Sequence, residues 1–410
     1  VCSPTRASIL SGQYPVRVGV MDWIPGLWRP YESVLAPQNR TQYLPAEVIT
    51  IGETMKQLGY KTGYFGKWHL GDSSLYHPLR QGFDESHIGK GHYNVQFSPP
   101  YPEGTGLRLS DALANMGESF IEQNKQQPFF LFISGYDVHL PLDADSALIV
   151  KYLKKDKVSG YPCNPIYAAM VEHLDRLVGR VLKKVSASGL EENTLIVLFS
   201  DNGGLDHNFR FQPLAAVSKR HFLAGDSLQF YATVNTPFRG VKGNLYEGGI
   251  RVPMIVKYPP KWKGGEVVSN IVTSVDFYPT FVNLAGGRLP SGQVFDGMDI
   301  FREPDTDRRP VFWHYPFFHH GVPASAVRLG DWKLIRNLVD TTYELYNLKN
   351  DIGERSNLAV SEPAKVARLS ALLDKWLRDI KAPMPAPNKE FDQKRRFEWS
   401  EHPSGVKIKF

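Results

Sequence analysis

Residues 2–6, with the sequence CSPTR, combine a nucleophile with groups that suit an anion. Pro4 fixes the backbone φ angle, and the planar guanidinium of Arg6 matches a tetrahedral oxyanion. Residues 5–10 have helix-compatible spacing, so the N–H groups of that helix start would point at an anion near Cys2. A lone cysteine is more often a buried apolar residue or half of a disulfide. The spacing here instead predicts an anion site that contains a nucleophile.

The string GKWHLG at residues 66–71 follows a predicted strand. Functional residues of an open α/β sheet gather at the carboxyl ends of its strands. Lys67 and His69 are two residues apart, so in an extended segment both side chains lie on one side and can hold one anion. The alternative is a surface lysine beside a structural histidine.

Three further strings have the same placement: DVHLP at 137–141, SDNGG at 200–204 and RGVKG at 239–243. His139 in the first is by itself more typical of a hydrogen-bonded loop histidine. Asp201 and Asn202 are compatible with a tight turn, but adjacent carboxylate and amide oxygens suit Ca²⁺. Lys242 lies in a glycine-rich turn whose charges are otherwise simply solvated.

Taken together, these strings resemble the sulfatase family. The pattern CxPxR followed by Leu and Gly is similar to the family signature, with Ser11 where members normally have Thr, and the other strings follow in family order. The resemblance implies that a formylglycine-generating enzyme oxidises Cys2 to formylglycine, an aldehyde that hydrates to a diol. One diol oxygen attacks the sulfur of a sulfate ester, and the second then expels sulfate.

The resemblance also assigns roles to single residues. Lys67 and Lys242 bind the sulfate, His69 contacts the diol, and His139 binds the sulfate and protonates the leaving oxygen. The remaining motif residues implied to act are Cys2 and Arg6 in catalysis and, as ligands of one Ca²⁺ ion, Asp201, Asn202 and the modified Cys2. Sulfatases carry two more calcium-binding aspartates on a first strand before the modified cysteine. We expect this chain to be truncated at its N-terminus, so that it lacks that strand and both aspartates.

Composition sets broader limits. A chain of 410 residues exceeds the size of one usual core, so we expect a large and a small domain. The net charge of +6 favours anionic substrates over a nucleic-acid groove, although simple solubility explains it equally. Cys163 is the only cysteine besides Cys2 and would be unpaired, and no apolar run reaches the length of a membrane helix. From the resemblance we expect a periplasmic, secreted or lysosome-like location.

Apolar strands alternate with amphipathic helices along most of the chain, which predicts an α/β fold. The predicted elements are helix 48–58, strand 61–65, helix 107–124, strand 129–133, helix 166–187, strand 195–199 and helix 275–285. We expect a large, mostly parallel sheet flanked by helices, alkaline-phosphatase-like by resemblance, with 195–199 as a central parallel strand. Strands 332–336 and 343–346 with a final helix predict a small antiparallel sheet domain. The predicted units are a catalytic domain at 1–305 without its first strand, a small α+β domain at 306–382 and an extended arm at 383–410.

The long segment 205–236 and the start of the small domain hold residues that suit a sulfated sugar. The candidates for substrate binding are His207, Arg210, Arg220, His221 and His314. The alternative is a variable surface loop.

We therefore predict a formylglycine-dependent and calcium-dependent sulfatase that acts on a sulfated carbohydrate or aryl ester. The alternatives are a phosphate or phosphonate monoester hydrolase of the same superfamily and an inactive sugar-binding homologue.

Overall fold

The first helix of the protein carries Cys2 at its start and is buried on nearly all sides. The computed structural model describes residues 1–38, 40–207, 214–223, 231–301 and 309–399. Helix α1 runs from Cys2 to Ser11 and ends at Gly12, whose φ of 68° is left-handed and favours glycine. Nine of its ten residues are buried. A helix enclosed in this way has a fixed position, and so has the side chain at its N-terminus.

A three-stranded parallel sheet lies next to α1. Strand order is β3-β2-β4, and the register pairs Gly66 with Ser134, so β2 and β4 end side by side. Helix α2 before β2 begins at Thr50, whose side chain forms a capping box with Glu53. The elements to this point are α1 (Cys2–Ser11), β1 (Val34–Leu35), α2 (Ile51–Gln57), β2 (Lys61–Gly66), β3 (Glu85–Ile88), α3 (Leu109–Asn124) and β4 (Phe129–Ser134).

The next strand, β5, pairs only with β6, in antiparallel fashion, among the described residues. The elements here are α4 (Ser146–Leu153), α5 (Pro165–Ala187), β5 (Ile196–Phe199), α6 (Glu247–Ile250), β6 (Met254–Lys257) and α7 (Phe277–Leu284). A cavity of about 1360 Å³ is lined by both β4 and β5, by α5 and α7, and by Cys2, Lys67 and His139. Since β6 is the single described partner of β5 and runs antiparallel to it, the predicted central position of β5 in a parallel sheet is not seen among the described residues.

The small C-terminal unit is a four-stranded antiparallel sheet of order β10-β9-β8-β7, covered by one helix. Its elements are β7 (Val311–Tyr315), β8 (Ala324–Leu329), β9 (Trp332–Asn337), β10 (Tyr343–Asn347) and α8 (Pro363–Asp379), followed by β11 (Ala386–Pro387). Strand β11, in the predicted arm, pairs with β1. The α/β class and the separate antiparallel sheet are confirmed. The exact domain limits stay a prediction. Within the described residues, no helix has the length and apolarity to cross a membrane.

A buried ion cluster joins the small sheet to the segment around α6. The Nζ atom of Lys333 on β9 lies 2.9 Å from Glu247 Oε1 and 2.8 Å from Glu354 Oε1, and all three side chains are at most 2% exposed. Glu354 also accepts the backbone N–H of Glu247 at 2.6 Å. Removing Lys333 would leave the two buried carboxylates without their shared cation, although Arg251 and Arg328 stay 3.4 Å and 3.8 Å from Glu247.

Replacing Lys333 by alanine should therefore lower the free energy of unfolding by about 3–5 kcal/mol, because two carboxylates lose their cation. Urea denaturation of the variant measures the change. Lys349→Ala, at an exposed position of the same domain, is the matched control and should change stability by less than about 0.5 kcal/mol. Equal stability of the two variants would contradict the role of the cluster.

Candidate active site

Cys2 lies at the centre of a buried group of cationic and imidazole side chains. It is 2% exposed, and its Sγ atom lies 3.4 Å from Lys67 Nζ and 3.3 Å from Lys242 Nζ. The amide oxygen of Asn202 lies 3.6 Å from the same sulfur. This sulfur stands where a modified Cys2 would carry its oxygen atoms. The predicted convergence of residues from opposite ends of the catalytic region is thus present.

The electrostatics of the site favour an anion at Cys2. Burial raises the pKa of the Cys2 thiol, but the ammonium groups of Lys242 and Lys67 and hydrogen bonds with His139 and His69 lower it well below its usual value. Burial also lowers the pKa of Lys67. The ammonium groups of Lys67 and Lys242, each within 3.4 Å of Cys2 Sγ, are stabilised when a negative group lies between them.

Arg6 ties the ends of three strands to the start of α1. Its NH1 group donates to the carbonyl of Lys67 at 2.8 Å and to Ser134 Oγ, and its NH2 group lies 3.1 Å from Asp201 Oδ2. Thr5 Oγ1 donates to the Asp201 carbonyl at 2.7 Å. The sequence predicts that the Arg6 guanidinium group binds the oxyanion. Its NH1 and NH2 groups instead hydrogen-bond to protein acceptors, so Arg6 positions the site.

His69 follows β2 in a left-handed conformation with φ 62°. Its Nε2 atom bonds to the carbonyl of Ile24, so this nitrogen carries the proton and Nδ1 is an acceptor. Burial and then the Lys67 charge lower the pKa of His69. The neutral ring therefore presents a lone pair within a site of high positive charge.

His139 lies in the turn after β4 and approaches Lys242. Its Nδ1 atom lies 2.8 Å from the carbonyl of Leu140, and its Nε2 atom lies 3.4 Å from Lys242 Nζ. Burial, and then the charges of Lys67 and Lys242, lower the pKa of His139 to about 4. With Nδ1 donating to the carbonyl, Nε2 is the acceptor and faces the lysine ammonium.

Asp201 and Asn202 fit a calcium ion only in part. Ca²⁺ takes six to eight oxygen ligands, and these residues offer one carboxylate and one amide oxygen beside Cys2. One carboxylate oxygen of Asp201 is already paired with Arg6. No group of three or more His, Cys, Asp or Glu residues suited to a metal occurs among the described residues. The described donor set is therefore incomplete for this ion.

Most of the candidate substrate residues make local contacts. His207 is exposed and its Nδ1 lies 2.6 Å from the carboxylate of the preceding residue. Arg220 and His221 lie in a short helical turn at residues 217–223, where Arg220 donates to a backbone carbonyl and the His221 ring packs on its neighbour. Arg210 lies outside the described residues. The structure does not bring Arg220 or His221 into the cavity wall at Cys2.

His314 is packed within the small sheet, contrary to the expected role in substrate binding. Its Nδ1 atom bonds to Ser325 Oγ at 2.7 Å and its Nε2 atom to the Pro383 carbonyl at 2.9 Å. Burial lowers its pKa to about 4. It is a structural histidine, because both ring nitrogens already have protein partners.

His319 lies in the cavity wall. No motif in the sequence singles it out. It follows β7, is 6% exposed, and packs on Gly243, next to Lys242. A Cβ atom on Gly243, whose φ is +88°, would lie 2.3 Å from His319 Nδ1. The glycine therefore permits the close approach, and the small domain contributes a side chain to the site.

The comparisons with known proteins identify the family of this chain. Residues 1–287 match the family described as Sulfatase, and residues 241–382 match the family described as N-sulphoglucosamine sulphohydrolase, C-terminal. The chain belongs to the sulfatase family and is a sulfuric ester hydrolase.

Individual relatives extend this match over most of the chain. A sulfatase of Formosa agariphila is 30% identical over 93% of this chain and 80% of its own length. The N-acetylgalactosamine-6-sulfatase of Rattus norvegicus is 27% identical, and the match covers 81% of this chain and 62% of that enzyme. The solved structure of Ps i-CgsB with k-i-k-neocarrahexaose is 25% identical with a TM-score of 0.73, covering 91% of this chain and 81% of that one.

His314→Gln should leave kcat/KM for a sulfate ester unchanged and alter the pH dependence of stability. The folded protein holds this histidine neutral, so the unfolded chain binds the extra proton as pH falls from 6.5 towards 4. Stability is retained above 6.5 and lost through this window, by up to about 3 kcal/mol from this group. The free energy of unfolding, measured from pH 7 to 4, should fall less steeply with decreasing pH in the variant. An identical slope, or a fall in kcat/KM, would contradict the structural role.

Proposed function

We propose that this enzyme hydrolyses sulfate esters of a carbohydrate, with Cys2 acting after conversion to formylglycine. The observation that carries the proposal is the position of Cys2 Sγ, 3.4 Å from the buried ammonium group of Lys67 and 3.3 Å from that of the half-buried Lys242, beside two histidines whose pKa is lowered. The relatives support a carbohydrate substrate, because Ps i-CgsB was solved with k-i-k-neocarrahexaose and several curated relatives are N-acetylgalactosamine-6-sulfatases. Formylglycine, made by a formylglycine-generating enzyme, supplies a nucleophilic oxygen and a way to release sulfate afterwards.

Lys67 and Lys242 orient the sulfate group. Their Nζ atoms approach the Cys2 side chain as two separate donors, so an anion at this point receives two charge-assisted hydrogen bonds. The same charges stabilise negative charge that develops on sulfate oxygens in the transition state. His69 Nδ1 accepts a proton from the nucleophilic group, since its Nε2 is fixed by Ile24.

His139 delivers a proton to the ester oxygen as the S–O bond breaks. In the free enzyme its Nε2 atom lacks a proton and accepts from the Lys242 ammonium at 3.4 Å. The negative charge of the sulfate ester favours the protonated imidazole, which takes its proton from solvent while Lys242 stays an ammonium group. After transfer the leaving alcohol and the His139 ring are both neutral.

A calcium ion held by Asp201, Asn202 and the modified Cys2 would polarise the sulfate. The incomplete donor set leaves room for further ligands. We propose that further carboxylate oxygens complete the ligand set of the ion.

Substitution of Cys2 and mass spectrometry test the nucleophile. Protein produced with a formylglycine-generating enzyme should give a Cys2 peptide with the mass of an aldehyde, and Cys2→Ala should lower kcat by at least about 10³-fold while circular dichroism shows that the fold is retained. Paired assays use a sulfate ester and the phosphate ester of the same alcohol. Faster phosphate turnover would favour the phosphomonoester hydrolase alternative. Full activity of Cys2→Ala would contradict the mechanism, and an unmodified, inactive protein would favour a sugar-binding role.

Calcium should raise the melting temperature of the wild-type protein, because a ligand that binds only the folded state stabilises it. The increase should be smaller in Asp201→Asn and Asn202→Ala, and unchanged in Asp72→Asn, which alters an exposed aspartate. Thermal unfolding with calcium and with a chelator measures these shifts. Equal shifts in all four proteins would contradict a calcium site at Asp201 and Asn202.

A further inference from the structure

A second histidine, His92, lies directly behind the turn that carries His139. It is buried, and its side chain is 6% exposed. Its Nδ1 atom lies 3.1 Å from Asp137 Oδ1, and its Nε2 atom lies 3.0 Å from the carbonyl oxygen of His139. The imidazole thus bridges the side chain of one turn residue and the backbone of another.

Both partners of His92 are hydrogen-bond acceptors. The carbonyl of His139 has no proton to give, and the Asp137 carboxylate also pairs with the guanidinium NH2 group of Arg108. Because a carbonyl oxygen only accepts, the Nε2 atom of His92 carries a proton and donates it to the His139 carbonyl. The side chains of Asp137 and Arg108 are 5% and 2% exposed, so water does not replace these contacts.

The ring of His139 depends on the turn that His92 holds. The turn is closed by the N–H of His139 donating to the carbonyl of Tyr136 at 2.9 Å. The Tyr136 ring packs against His139 at 4.8 Å between centroids and against His92 at 5.0 Å. His92 therefore fixes the backbone of His139 by a hydrogen bond and its ring through Tyr136, and this leaves Nε2 facing Lys242.

We propose that His92, hydrogen-bonded to both the Asp137 carboxylate and the His139 carbonyl, is a positioning residue for leaving-group protonation. The inference rests on the proposed role of His139 and extends it to a residue that does not touch the substrate. Without the hydrogen bonds of His92, the turn that carries His139 is no longer held in place. The Nε2 atom of His139 then lies near the ester oxygen for less of the time. The two lysines that hold the sulfate keep their places. Arg6 donates to the Lys67 carbonyl, and the backbone N–H of Lys242 donates to the Gly204 carbonyl at 3.1 Å.

The kinetic test uses para-nitrophenyl sulfate, whose leaving group departs without protonation, and phenyl sulfate, whose leaving group benefits from it. His92→Ala should lower kcat for phenyl sulfate by about 10–100-fold and for para-nitrophenyl sulfate by less than about 3-fold. His92→Gln, which restores one donor to the His139 carbonyl, should recover part of the loss. Lys90→Ala, at an exposed position two residues before His92, is the control and should leave both rates unchanged.

A double variant shows whether His92 acts through His139. His92→Ala added to His139→Ala should cause no further loss with phenyl sulfate, because the residue it positions is already absent. Equal losses for the two substrates, or independent losses in the double variant, would overturn the proposal and leave His92 a structural residue.

Nitrogen NMR of the wild-type protein tests the hydrogen bond of His92 without any turnover. The Nε2 atom of His92 should carry the proton that it donates to the His139 carbonyl, and a ring protonated at Nδ1 alone would overturn the proposal even if the variants fold poorly. If the wild-type enzyme hydrolysed neither ester, the proposed function would fail, while the NMR result would still decide whether His92 holds the His139 backbone.

Discussion

Two ammonium groups that meet beside one buried side chain, Cys2, are the constraint on which this structure depends. Lys67 and Lys242 come from segments far apart in sequence, and each lies within 3.4 Å of Cys2 Sγ. Like charges in a protein interior repel strongly and lose their hydration, so such a pair is stable only where an anion completes it. The site therefore prefers a negative group at Cys2, in the resting protein and in the complex with substrate.

The scaffold holds these charges by fixing the ends of its strands. Arg6 binds the Lys67 carbonyl and the Asp201 carboxylate from the start of the buried helix that carries Cys2, so Cys2, Lys67 and Asp201 share one support. Lys242 is fixed from the other side, where His319 of the small domain packs on Gly243. The small domain is thus part of the active-site wall, and its buried Lys333 cluster secures the same region.

Much of this arrangement was predictable because it is encoded locally. The apolar strands and amphipathic helices appear within a few residues of their predicted limits, and the motif residues at strand ends converge as parallel strands require. Other features depend on contacts between distant segments, which periodicity does not report. The sequence does not reveal that Arg6 is used by protein acceptors, that His314 is packed by Ser325 and Pro383, or that His319 reaches the cavity. The antiparallel pairing of β5 was also missed, because an apolar strand reads alike in either direction.

The most direct test of the account is a crystal structure of the Cys2→Ala protein with a sulfated sugar bound. The sulfate oxygens should lie within hydrogen-bond distance of both Lys67 Nζ and Lys242 Nζ, with the ester oxygen towards His139 Nε2. A sulfate bound elsewhere in the cavity, out of reach of both lysines, would contradict the central claim.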